Sequence, residues 1–183
     1  MPTTYINFHA PINQHTTQNL MVVIAQKLVA GITDFYVLLS TPGGEVASGL
    51  TVYNFLRSIP ANITMHNIGN VDSIGNAIFL AANTRLACEH STFMFHGVGF
   101  DVKNLKLEEK NARELLDSIL ADQDRIADII VQRTNIDRRR SRQLFREART
   151  KDATAALTAG IISNIADPAI PAGADIVSFV FGP

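Results

Sequence analysis

With 183 residues, 46% of them hydrophobic and 18% charged, the chain holds enough apolar material for one compact domain and its core. A formal net charge of -1 supplies no bulk attraction for nucleic acid or for an anionic membrane. The single cysteine, Cys88, excludes an internal disulfide and a cysteine-built metal site. Stability must then come from packing or from other subunits, as in a reduced cytoplasmic protein. The opening MPTTYINFHAP lacks the basic stretch and apolar run of a signal peptide, and no run of about 18 apolar residues occurs anywhere, so the cytosol is the expected compartment.

Thr4 to Phe8 reads as a short strand, followed by a turn through Pro11 and Asn13 and a helix from Thr16 or Thr17 that Gly31 closes. Leu20, Val23, Ile24 and Leu28 share one face of that helix. Phe35 to Ser40 is apolar without alternation, as in a strand buried on both faces of a parallel sheet. Thr41 to Gly44 turn the chain into a helix over Glu45 to Leu56, Ile63 to Ile68 return as a strand, and Gly69 to Asp72 lead to a helix from Ser73 to Ala82. This βα alternation predicts an α/β fold with a mostly parallel sheet. Further strands are expected at Arg85 to Cys88 and Thr92 to His96, then a loop through Gly97, Gly99 and Asn104.

A long helix should run from Leu107 to Thr134, with Leu115, Ile119, Ile126 and Ile130 on one stripe suited to packing along its length. Such a stripe is too apolar for a lone arm in water and predicts an oligomer. Asp137 to Arg149 is expected as an arginine-rich helix, Thr154 to Ala159 as a short helix capped by Gly160, and Ile161 to Ile165 as a terminal strand. The core domain is drawn as residues 1–167, with 168–183 a C-terminal extension to which no structure is assigned.

The turns Thr41-Pro42-Gly43-Gly44 and Gly69-Asn70-Val71-Asp72-Ser73-Ile74-Gly75 both follow strands, where helix N-termini present unpaired amides. Ser73 alone reads either as a helix cap or as a nucleophile, with the amides of Gly44 and Ile74 as an oxyanion hole. A serine nucleophile needs a base. His96, at the end of a strand and the start of a glycine-containing loop, is suited to that task by a histidine's ordinary titration range; alone it reads more readily as structural than as catalytic.

Three ordered segments carry a resemblance. LSTPGG (39–44) resembles the strand-to-helix segment of Clp protease proteolytic subunits, GNVDSIGNAIFLAA (69–82) resembles their nucleophile segment, and STFMFHG (91–97) is similar to their strand ending in the catalytic histidine. The resemblance runs from about Tyr5 to Asp167. It implies a Clp/crotonase fold of repeated ββα units with a protruding handle helix, and a serine endopeptidase with Ser73 and His96 catalytic and the Gly44 and Ile74 amides holding the oxyanion. It also implies stacked rings, seven-membered in the leading form, and a peptide or unfolded-protein substrate. No metal or organic cofactor is implied.

The sequence departs from the family where the third catalytic acid is expected. Ala148 occupies that position, with Glu147 and Asp152 as the nearest substitutes, and Asp72 stands where an alanine is usual. This admits a catalytically weak or inactive ring subunit as the alternative. The early start of the first strand counts against the axial segment that meets an AAA+ unfoldase. The arginine-rich helix invites a nucleic-acid reading, but Asp137, Glu147 and the overall charge offset it, and no membrane partner is expected.

Overall fold

The computed structural model describes residues 2–99 and 108–179. Its strands are β1 (Thr3–His9), β2 (Asp34–Thr41), β3 (Asn62–Asp72), β4 (Thr84–Ala87), β5 (Thr92–Met94), β6 (Thr150–Asp152), β7 (Asn164–Ile165) and β8 (Asp175–Ser178). The helices are α1 (Gln14–Val29), α2 (Val46–Ser58), α3 (Gly75–Leu80), α4 (Glu109–Arg133), α5 (Arg138–Glu147) and α6 (Ala153–Thr158). The strands form one sheet in the order β6-β5-β3-β2-β1-β8, with β4 also on β3 and β7 on β4. Every pairing is parallel except β5 with β6. A mostly parallel α/β sheet with a long helix is what the sequence predicts.

Buried runs explain the centre of the sheet. Phe35, Val37, Leu39, Ile63, Met65 and Val71 are almost fully enclosed, as strands covered on both faces require. The strand expected to stop at Ile68 continues to Asp72, because β3 changes partner: residues 64–67 pair with β4 and residues 70–72 with β5. The changeover is a bulge against β2, where the register jumps from Leu39↔Asn67 to Thr41↔Val71. Polar side chains bridge it. Ser40 Oγ donates to Asn70 Oδ1 at 3.2 Å, and the Gly69 amide donates to Asn67 Oδ1 at 3.0 Å.

Several element ends differ from expectation for identifiable reasons. The first helix starts at Gln14 because Asn13, not a threonine, is its cap, accepting from the Thr16 amide at 2.9 Å while Thr16 Oγ1 accepts from the Asn13 amide. Of the expected strand Ile161 to Ile165 only Asn164–Ile165 pairs; Ile161 and Ile162 are buried in the core instead. The strand expected to reach His96 ends at Met94. Of the expected loop, residues 100–107, including Asn104, lie outside the described residues, as does the start of the helix expected from Leu107. The tail after Pro168 adds β8 beside β1, pinned where Asp175 accepts from Lys27 Nζ at 2.6 Å and Thr4 Oγ1 at 2.7 Å.

Helix α4 has 25 residues, about 37 Å at 1.5 Å per residue. Its last turns bury Ile126, Ala127, Ile129 and Ile130 against the body, whereas Leu116 and Leu120 are half exposed, so the first half is an arm with an uncovered apolar edge. No described helix is long and apolar enough to cross a membrane.

Candidate functional site

The strands β2, β3 and β5 deliver the candidate residues to one pocket, whose walls include Gly44, Ser73, Ile74, His96 and Phe145. Ser73 lies not in the first turn of a helix, as expected, but in the elbow between β3 and α3, with φ +55°. A left-handed serine costs about 1–2 kcal/mol, which the surroundings must hold in place. They do so from two sides. The Ser73 amide donates to Met94 O at 2.9 Å, and Asn76 Nδ2 donates to Ser73 O at 3.1 Å and to Met94 O at 2.8 Å.

The turn after β2 closes over this elbow. Gly43 has φ +85°, and a Cβ there would lie 2.6 Å from Ser73 Cβ and 2.8 Å from Asp72 O. Gly44 has φ +148°, and a Cβ would lie 2.1 Å from Ile12 O. Only glycines fit such approaches. Ile12 fixes the turn, its amide donating to Gly43 O and its carbonyl accepting from the Glu45 amide, both at 2.8 Å. The amides of Gly44 and Ile74 have no acceptor among the described residues.

His96 is exposed at the pocket and donates from Nδ1 to the Gly97 carbonyl at 2.8 Å, since a carbonyl can only accept. Nε2 is therefore the nitrogen left with a lone pair. Ser73 and His96 line the same pocket without a hydrogen bond between them. Asp72 does not face an oxyanion unopposed: its Oδ2 accepts from Asn70 Nδ2 at 2.6 Å, and that amide also donates to Thr41 O.

Position 148, where the family pattern expects an acid, holds Ala148. In the β5/β6 pairing Met94 lies opposite Thr150, and the Phe95 amide donates to Arg149 O at 3.5 Å; the ladder goes no further, since the Gly97 amide donates to Phe145 O, and Ala148 lies in the turn between these two bonds. The helix expected to reach Arg149 ends at Glu147, with Ala148 left-handed at φ +46°. The proposed substitutes are committed elsewhere. Glu147 Oε1 accepts from Arg140 Nη1 at 3.0 Å and Gln143 Nε2 at 2.6 Å, and the Arg140 hydrogen bond holds its carboxyl below the usual range. Asp152 caps α6, accepting from the Ala155 amide at 2.7 Å.

Sequence reasoning overlooked Asn76. The side chain is 1% exposed, and nothing in the local sequence marks it. Buried in β3 is His66, whose Nδ1 lies 2.6 Å from Tyr36 Oη and whose Nε2 donates to Ala166 O at 2.9 Å. Burial pushes the His66 pKa below its ordinary value, and the imidazole is a neutral structural link rather than a base for Ser73. Among the described residues no cluster suited to holding a metal ion occurs.

The family model described as Clp protease matches residues 2–169. Over 126 residues the chain is 27% identical to the ATP-dependent Clp protease proteolytic subunit 3 of Rhizobium etli, covering 64% of this chain and 65% of that protein. It is 30% identical over 126 residues to the proteolytic subunit 2 of Chlamydia trachomatis, covering 61% and 62% respectively. These matches take in less than two thirds of the relatives' lengths. A solved structure of a mutant ClpP1 from Listeria monocytogenes superposes with a TM-score of 0.77 at 18% identity, covering 90% of this chain and 91% of that one, a likeness of fold.

Proposed function

The chain belongs to the Clp protease family, and from that premise we propose that it is a serine-type endopeptidase subunit working through an acyl-enzyme. The observation that carries the reading is the meeting, in one pocket, of a left-handed serine, a histidine with Nε2 open and two unpartnered amides. Ser73 Oγ attacks the peptide carbonyl as His96 Nε2 takes its proton, and the Gly44 and Ile74 amides receive the oxyanion. Each such donor lowers the barrier by about 2.7–4 kcal/mol. His96 then protonates the leaving amine and activates the water that frees the acyl group. The Ser73–His96 hydrogen bond closes when substrate fills the pocket, since such bonds are often long without it.

The exposed Leu116 and Leu120 support assembly through α4, and stacked rings, heptameric in the leading form, are the proposed oligomer. Peptide or unfolded protein as substrate and a cytoplasmic location belong to the same reading, which does not require an AAA+ unfoldase as partner. A fluorophosphonate probe should label the wild-type protein and not Ser73→Ala; absence of label under conditions that label another Clp peptidase would refute it. Ala148 favours one alternative, a ring subunit with weak or no turnover. Activity on short unstructured peptides separates the two.

A further inference from the structure

Behind the pocket lies a second depression, between α4 and α5. This groove of about 410 Å³ is lined by Leu120, Gln123, Asp124, Arg142, Phe145 and Arg146. Phe145 is common to both cavities, and its carbonyl accepts from the Gly97 amide at 3.0 Å, directly after His96. Gln123 is a second link, since a Cβ on Gly97 would lie 3.0 Å from Gln123 Nε2. A peptide seated at Ser73 therefore has the groove within reach of a neighbouring side chain.

The charge of the groove is uneven. Of the arginines on α5, Arg138 pairs with Asp124 and Asp128, Arg140 with Glu147, and Arg142 with Asp124 at 2.9 Å. Asp124 is thus shared by two guanidinium groups. Arg139 and Arg146 reach no carboxylate among the described residues, and both also line the adjoining depression with Arg138, Arg142 and Gln143. Leu120, half exposed, supplies most of the apolar wall below this cationic rim, with only the edge of Phe145 beside it. A short aliphatic stem ending in a carboxylate matches both parts, and an arginine fork is suited to a carboxylate. A nucleic acid finds no stacking surface, because Phe145 is 8% exposed.

Resting on the peptidase reading above, we propose that the α4/α5 groove is a substrate subsite selecting peptides with glutamate or aspartate beside the residue seated in the pocket, through Arg146 and Arg142.

The test uses fluorogenic peptides differing only by Glu or Gln at each position flanking an apolar residue. At low salt the best Glu peptide should be cleaved about fivefold faster than its Gln twin in kcat/KM, the size of one exposed ion pair. The preference should shrink with added salt. In Arg146→Gln the Glu-to-Gln ratio should fall towards 1. Binding of the same peptides, dye-labelled, to the full-length Ser73→Ala variant by fluorescence anisotropy reads the groove without chemistry. A Glu preference in binding but no turnover by the wild type sinks the peptidase reading and keeps the subsite. Equal Glu and Gln affinities overturn the subsite, whether or not the wild type cleaves. So does an Arg146→Gln protein that dissociates in light scattering while keeping its Glu preference, since the arginines would then serve a contact between copies.

Discussion

Replacing Ala148 with aspartate should raise turnover. Position 148 lies in the turn between two bonds that flank His96, Arg149 O with the Phe95 amide and Phe145 O with the Gly97 amide, so the two positions are neighbours. The backbone there is already left-handed, at φ +46° and ψ +47°, a conformation that aspartate tolerates better than alanine. If the introduced carboxylate comes to about 5 Å from the imidazolium formed in the transition state, it contributes about 3.3 kcal/mol at an effective dielectric of 20 and about 0.8 kcal/mol at that of water. Both residues are exposed, so the true value lies between these limits, and kcat/KM should rise between about 4-fold and about 250-fold. That is below the roughly 10⁴-fold loss on removing the acid from a trypsin-type triad, because much of that loss is a wrong tautomer. Here the Gly97 carbonyl already selects the Nδ1–H form. Cleavage of a short unstructured peptide by wild type, Ala148→Asp and Ala148→Asn reads the effect, the asparagine fitting the same backbone without the charge. If all three turn over alike while light scattering shows the same assembly, the missing acid is not what limits turnover and a charge at position 148 does not act on His96.

Glu147→Gln should leave kcat/KM within about twofold, since Glu147 is bonded to Arg140 and Gln143 rather than His96; a fall beyond about tenfold would make it the third acid after all. Gly43→Ala should cost more than about 1 kcal/mol of stability and suppress fluorophosphonate labelling, because its Cβ would overlap Ser73 and φ is +85°; normal labelling would show that the elbow can shift. Asn76→Ala should lower kcat at least about tenfold with KM little changed, as the buried amide ties Ser73 to Met94, two residues before His96; an altered KM alone would count against a positioning role. His66 has a pKa depressed by burial, so the unfolded chain binds its proton first and stability should fall as pH drops below about 6.5. Urea unfolding from pH 8 to pH 5 should show that slope in the wild type and less of it in His66→Gln; identical slopes would remove His66 as its source.

The parallel core was legible because strands buried on both faces announce themselves as unbroken apolar runs, as in Phe35 to Ser40. Ser73, His96, Gly44 and Ile74 were legible as members of ordered segments, and the fold brings all of them to one pocket. What stayed hidden depends on backbone details without periodicity. The left-handed Ser73 was read as a helix residue because a serine before an apolar helix looks like a cap. Helix α5 was extended to Arg149 because no glycine marks its end; alanine fills the left-handed position that glycine usually takes. The same gap hid the real surroundings of Glu147. Asn76 passed unnoticed because its importance is a pair of carbonyls brought together by the elbow, a tertiary fact with no local signature.

On the peptidase reading, the left-handed turn at Ala148 makes the place expected for a third acid a feature of the main chain rather than of the side chain. Ending α5 there lets the Phe145 carbonyl meet the Gly97 amide and the Arg149 carbonyl meet the Phe95 amide, so two bonds flank His96 on the segment that carries it. Those bonds use main-chain atoms, and they persist whatever side chain stands at position 148. The histidine's Nδ1–H is likewise satisfied by a main-chain oxygen. Loss of the carboxylate therefore removes charge stabilisation of the imidazolium while the ring keeps an orienting partner, so the expected defect is a graded loss of rate instead of a collapse of the site. This is why a dyad with low turnover and an inert ring subunit predict different responses to aspartate at position 148. A dyad gains rate from the charge. A protein in which Ser73 and His96 never approach one another gains nothing.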